Sequence, residues 1–200
     1  RESIINKNFS LLNFYERRAR RLLPALLTVL FFTLFFAYHL LLPVQFVEYL
    51  KTVISSMFFY SNFYFHYTGQ AYGQAILSTK PLLHTWSLSV EEQFYLLYPI
   101  LFIFFFRIFK SNIKYLLYLG FLISIIFASI ISEKHASFNF YMIISRSWEL
   151  IFGGLIALKH LTSKEKLKDN KILPSIGFFL IIFSFYFFND PHKHPSYFTL

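Results

Sequence analysis

Residues 22–42, LLPALLTVLFFTLFFAYHLLL, carry no Asp, Glu, Lys or Arg. A helix needs about 20 apolar residues to cross the hydrocarbon core of a bilayer, and this run supplies them, with Pro24 tolerable in the first turn of the span. His39 near its far end suits the membrane interface. Composition says the same of the rest of the chain. Hydrophobic residues make up 56% of the 200 and charged residues only 14%, and a soluble domain of this size could not hide 29 Phe and 14 Tyr in one core. The expected fold is all-α, a polytopic transmembrane helical bundle with about five to six membrane segments.

Outward from that span, further runs follow at 87–106, 115–131, 141–158 and 172–188, with polar loops between them. The run 52–65 is shorter and rich in Ser, Asn and Tyr, which fits a short crossing or a re-entrant segment. No internal repeat or linker divides the chain, so residues 1–200 are expected to form one transmembrane domain. The chain opens on Arg1 and closes in YFTL, and reads as a piece of a longer protein. It has no cysteine, which excludes disulfides and thiolate metal sites.

Charge orients the spans. Residues 1–21, 107–114 and 159–171 hold six, three and five of the 19 Lys and Arg, and the positive-inside rule places all three in the cytoplasm. That arrangement requires 52–65 not to cross. Because the basic residues follow the membrane loops, the net charge of +9 points to no nucleic acid.

Three constellations can carry chemistry. In residues 80–99, KPLLHTWSLSVEEQFYLLYP, a helix beginning near Thr85 sets Ser87, Glu91 and Tyr95 on one face at i, i+4 and i+8, with His84 just above. Glu92 points elsewhere and, with Ser89, fits a capping box. The same residues also fit a capped, water-facing first turn. In FYERRARR, Arg17, Arg20 and Arg21 share a helical face beside Arg18. Such a cluster grips phosphates or simply anchors lipid headgroups. In SRSWELIFGG, Arg146 and Glu149 lie inside a span, where an isolated charge costs roughly 2.5–3.5 kcal/mol on insertion scales. At i, i+3 they neutralise each other, mark a wet or buried interior, or both. Gly153 and Gly154 beside them suit close helix contact. His192 and His194 near Asp190 resemble a metal cluster only weakly, and a solvated loop explains them better; no metal is expected.

FYERRARRLLPALL, SNFYF, PLLHTWSLSVEEQFYLLYP and SRSWELIFGGLIAL, in that order, resemble the acyltransferase 3 family, multi-pass bacterial enzymes that O-acylate surface polysaccharides and lipopolysaccharide O-antigen. The family's Arg-x-x-Arg is matched by Arg17/Arg20 and Arg18/Arg21. Its Ser-Leu-x-x-Glu-x-x-x-Tyr is matched by Ser87, Leu88, Glu91 and Tyr95, and its Arg-x-Trp-Glu by Arg146, Trp148 and Glu149.

The resemblance implies an inner-membrane enzyme that moves an acyl group, expected to be acetyl from acetyl-CoA, to a hydroxyl of a surface glycan or lipid-linked sugar. The four arginines would hold the donor phosphates, and Ser87, Glu91, Tyr95, His84, Arg146 and Glu149 would serve the chemistry. It also implies that the family's catalytic histidine lies upstream of Arg1. A rival reading from another class, a glycolipid transporter or flippase, accounts equally for charged residues inside the membrane.

Overall fold

The computed structural model describes residues 10–68, 80–109, 113–132, 134–162 and 172–187. The described residues form α-helices and turns. Four helical stretches, Leu11–Leu40, Thr85–Ile108, Lys114–Ile131 and Ala136–Leu158, are long and apolar enough to cross a membrane; a fifth apolar helix, Pro174–Phe183, is shorter. Among the described residues, four of the five to six membrane segments expected are full-length candidates. Many of their large side chains stay exposed, Phe31, Phe35 and Phe178 among them, as suits surfaces solvated by lipid rather than water. The chain is a multi-pass membrane protein. It divides into two compact units, residues 1–113 and 114–200.

In the first unit, α1 (Leu11–Leu40) opens on Ser10, whose Oγ accepts from the Asn13 N–H. The helix starts well before residue 22, so Pro24 sits in its interior rather than its first turn. Lacking an N–H, Pro24 cannot bond the Arg20 carbonyl, a loss membrane helices tolerate. After a tight turn, Pro43 begins α2 (Pro43–Met57), which folds back along α1 and donates from Tyr49 Oη to Thr33 Oγ1 at 2.8 Å. Phe59, at φ 54° in the left-handed region, reverses the chain into the seven-residue α3 (Ser61–Tyr67).

This α2–α3 hairpin is what becomes of the short 52–65 run. Its hydroxyls and amides are buried rather than lipid-facing. Ser56 Oγ meets Thr85 Oγ1 at 2.8 Å, Ser61 Oγ meets Ser89 Oγ at 2.7 Å, and Gln93 Nε2 donates to both Asn62 Oδ1 and the Phe59 carbonyl at 2.8 Å. A chain reversal buried among helices needs such partners, because an unmet polar group there costs about 1–3 kcal/mol.

Those partners belong to α4 (Thr85–Phe109), whose start matches the expected helix near Thr85. The expected Ser89–Glu92 capping box does not form. Thr85 opens the helix one turn earlier, and Ser89 is fully buried against Ser61. Two contacts fix the direction of α4: Arg18 meets Glu92, and one turn earlier on α1 Tyr15 Oη donates to the Leu96 carbonyl at 2.7 Å. The two helices therefore run in opposite directions. Leu82, just before α4, packs in one apolar cluster with Leu26, Leu30 and Tyr49, so α4 begins beside the middle of α1.

The second unit holds α5 (Ile113–Ile131), α6 (Ala136–Tyr141), α7 (Ile143–Thr162) and α8 (Ile172–Phe187). The expected span 141–158 begins as α7 at Ile143; part of the loop expected before it is helical as α6, and Met142 between them is extended. Side chains meet the carbonyls freed there. Ser145 Oγ bonds to the Asn139 and Met142 carbonyls at 2.6 and 2.9 Å, and Arg146 Nε donates to the Phe140 carbonyl at 2.9 Å. Ser124 of α5 donates to the Ile144 carbonyl at 2.6 Å and accepts from the Trp148 N–H at 3.0 Å, so its hydroxyl sits within one rung of the α7 ladder. Gly120 faces Ile151 at ordinary contact distance, whereas a Cβ at Gly153 would meet nothing within 4 Å. Among the described residues, the close contact expected at Gly153 is thus not made. Residues 188–200, with Asp190, His192 and His194, lie outside the described residues, as does most of the basic loop 159–171.

Candidate active site

Between α1 and α4 lies a cavity of about 440 Å³. One wall is apolar, from Leu22, Ala25, Leu26 and Val29 of α1 and Leu88 of α4; its polar groups are Arg18, Arg21, His84, Thr85, Glu91 and Tyr95. The helical periods explain the lining. Arg18, Arg21, Ala25 and Val29 recur at i, i+3, i+7 and i+11 along one face of α1, while Glu91 and Tyr95 recur at i, i+4 on α4, below His84. Two constellations some 70 residues apart in sequence thus share one wet space. Antiparallel packing brings them together.

Each polar group has its own surroundings. Arg18 is fixed: its Nε donates to both Glu92 carboxylate oxygens at 2.9 and 3.1 Å, and Nη2 lies 2.7 Å from Oε1. Its guanidinium carbon also sits 3.3 Å from the centroid of the Tyr95 ring. Charge-assisted bonds of this kind are each worth roughly 1.5–3 kcal/mol. Arg21 is exposed and has no ion-pair partner among the described residues. Glu91 is likewise exposed, and no hydrogen bond or ion pair engages it among the described residues.

The other expected residues lie elsewhere. Ser87 is exposed at the top of the stripe, bonding the His84 carbonyl at 3.2 Å, and does not line the cavity. Arg17 is exposed outside the wall. Arg20 pairs with Glu16 at 2.7 Å on the surface, a contact worth about 0.3–0.5 kcal/mol. Of the four arginines expected to hold the donor, Arg18 and Arg21 line the cavity, and Arg17 and Arg20 do not. Glu92, expected at a cap, holds Arg18 instead. No local spacing reveals that pair, since its partners are 74 residues apart; a carboxylate inside so apolar a helix was the one hint that a cation must be near.

Arg146 and Glu149 lie in the second unit, 3.3 Å apart and partly buried. Besides Glu149, Arg146 engages the Phe140 carbonyl at the helix break, with its guanidinium carbon 4.9 Å from the centroid of the Phe140 ring. The pair therefore supports the interrupted helix as well as neutralising itself.

Among proteins of known sequence, the acyltransferase domain family Acyl_transf_3 matches residues 4–200. An uncharacterised protein of Haemophilus influenzae is 32% identical over 94% of this chain and 80% of its own length. The provisionally assigned peptidoglycan O-acetyltransferase YrhL of Bacillus subtilis is 31% identical over 93% of the chain but 31% of its own length. The O-acetyltransferase OatA of Staphylococcus aureus is 36% identical over 60% of the chain and 20% of its own length. The chain thus spans about a third or less of those two named relatives. No solved structure matches. A multi-pass membrane protein with a cavity lined by both arginines and a carboxylate is what these observations define. The chain belongs to the acyltransferase 3 family of O-acyltransferases.

Proposed function

We propose that this chain is the membrane core of a bacterial O-acetyltransferase of the cytoplasmic membrane. It would take acetyl from acetyl-CoA and place it on a hydroxyl of a cell-envelope glycan or its lipid-linked precursor. The observation that carries the proposal is the shared cavity, in which Arg18 and Arg21 face the same space as Glu91, Tyr95 and His84.

The donor is cytoplasmic and polyanionic. The positive-inside rule assigns the N-terminal end of α1 to the cytoplasmic side, so the donor would enter the cavity from its arginine end. The opposed directions of α1 and α4 accord with this, bringing residues 107–109 toward the same side. The α2–α3 hairpin accords with the re-entrant reading that this topology needs.

In the transfer the acceptor hydroxyl oxygen attacks the thioester carbonyl, the new C–O bond forms, the C–S bond breaks and CoA leaves as its thiol after taking up a proton. A base must accept the hydroxyl proton. His84 and Glu91 are the cavity groups able to hold or steer it, while Tyr95 and the arginines supply donors for the developing oxyanion. Ser87, Arg17 and Arg20 stand at the margin; Arg146 and Glu149 belong to the second unit, and a part for them in the chemistry rests on the family resemblance alone. Between acceptors, the name of YrhL favours peptidoglycan over O-antigen.

The rival transporter reading draws on the interrupted α6–α7 helix with Arg146 and Glu149, because broken helices often frame transport sites. Acetyl-CoA turnover by the intact purified protein with soluble peptidoglycan fragments separates the two. The enzyme reading expects turnover that Arg18→Ala with Arg21→Ala reduces at least tenfold, and Arg17→Ala with Arg20→Ala less than threefold. Absence of turnover with every glycan acceptor, with glycolipid movement intact, would instead establish transport.

A further inference from the structure

Glu92 lies behind the cavity rather than in its wall, yet it pairs with Arg18, which does line it. Its two oxygens occupy the Nε–Nη2 edge of Arg18, and the Tyr95 ring covers one guanidinium face. What remains of Arg18 is the Nη1 edge, which no hydrogen bond engages among the described residues, on a side chain that lines the cavity. If the pair were only a strut between α1 and α4, it would be placed redundantly, because the Tyr15–Leu96 bond already ties the helices one turn away. A planar guanidinium held on one edge and one face keeps a single orientation and loses little freedom when it binds an anion.

We propose that Glu92 is a positioning residue for donor binding: with the Tyr95 ring, it fixes Arg18 so that the free N–H groups meet a phosphate of the acyl donor, while the exposed Arg21 supplies attraction without fixed geometry. This rests on reading the cavity as the acetyl-CoA site. It also runs against simple electrostatics, because Glu92 offsets the charge of Arg18, so removing it should strengthen anion binding if orientation did not matter.

The test is steady-state kinetics of the intact protein in native membranes, with acetyl-CoA and with S-acetylpantetheine, which lacks phosphates. The expectation for Glu92→Gln is a KM for acetyl-CoA raised about tenfold, kcat within twofold, and S-acetylpantetheine kinetics unchanged. Glu92→Asp, which keeps the charge but withdraws the carboxylate, should raise the same KM about threefold, and serves if the Gln variant does not accumulate. The charge swap Arg18→Glu with Glu92→Arg restores the ion pair but points the guanidinium from the wrong helix, so insertion should return while the KM stays high.

An unchanged or lowered KM in Glu92→Gln, an equal change for both donors, or full kinetic rescue by the swap overturns the inference and leaves a strut. A wild-type protein that does not turn over acetyl-CoA overturns the donor assignment and this inference together.

Discussion

Adjacent residues in this chain do different work according to the face they occupy. Glu91 and Glu92 are separated by about 100° around α4. One looks into the cavity without a partner among the described residues, and the other grips Arg18 behind it. Glu91→Gln keeps shape and hydrogen-bonding capacity while removing the charge. In the intact protein, turnover per folded molecule should fall about 100-fold or more at unchanged membrane abundance, the scale of a lost proton-transfer group. Near-normal turnover would return Glu91 to an ordinary solvated position.

The stripe of Glu91 and Tyr95 below His84 was legible because helical spacing alone assigns a face. Which arginines face the cavity was not. The four fall within five residues, and only the partner helix decides that Arg18 and Arg21 look inward while Arg20 turns to Glu16.

Among the elements, the α2–α3 hairpin depends on a few buried amides and hydroxyls rather than on apolar length. Gln93 is its main tether, and it holds the carbonyl of Phe59, a residue already strained by its positive φ. Gln93→Leu leaves that carbonyl without this donor, at a cost of roughly 1–3 kcal/mol. The thermal unfolding midpoint of the detergent-solubilised protein should drop by several degrees, whereas Gln93→Glu, which keeps oxygens but loses the donor, should drop it at least as far. A midpoint unchanged in both would mean the hairpin is held otherwise.

Hydropathy placed the long helices well because their signal is a sum over about 20 residues. It gave no sign of α6 ahead of Met142 and left 52–65 open between a crossing and a reversal, since both matters turn on single side chains meeting backbone groups: Ser145 and Arg146 at Met142, Ser124 inserted beside them, Gln93 at the hairpin. A window average does not see such contacts.

For the whole molecule, the proposed topology keeps residues 1–21, 107–114 and 159–171 on one side of the membrane. The chain has no cysteine, so single cysteines at Asn112, Ser137 and Ser163 report their sides directly in a background cleared of any other cysteine. Of these, Asn112 and Ser163 lie outside the described residues. A membrane-impermeant thiol reagent added to intact cells should label Ser137→Cys and spare the other two; labelling of Ser137→Cys and Ser163→Cys from the same side would reverse the assignment of α7.

The central claim is that the space between α1 and α4 holds the acyl donor, and Ala25, which lines its apolar wall, tests it most directly. In the intact protein carrying Ala25→Cys as its sole cysteine, saturating acetyl-CoA should slow reaction with a small thiol reagent at least tenfold. That protection should vanish when Arg18→Ala and Arg21→Ala are added. Equal labelling rates with and without acetyl-CoA, in a protein still able to turn it over, would show that the donor binds elsewhere.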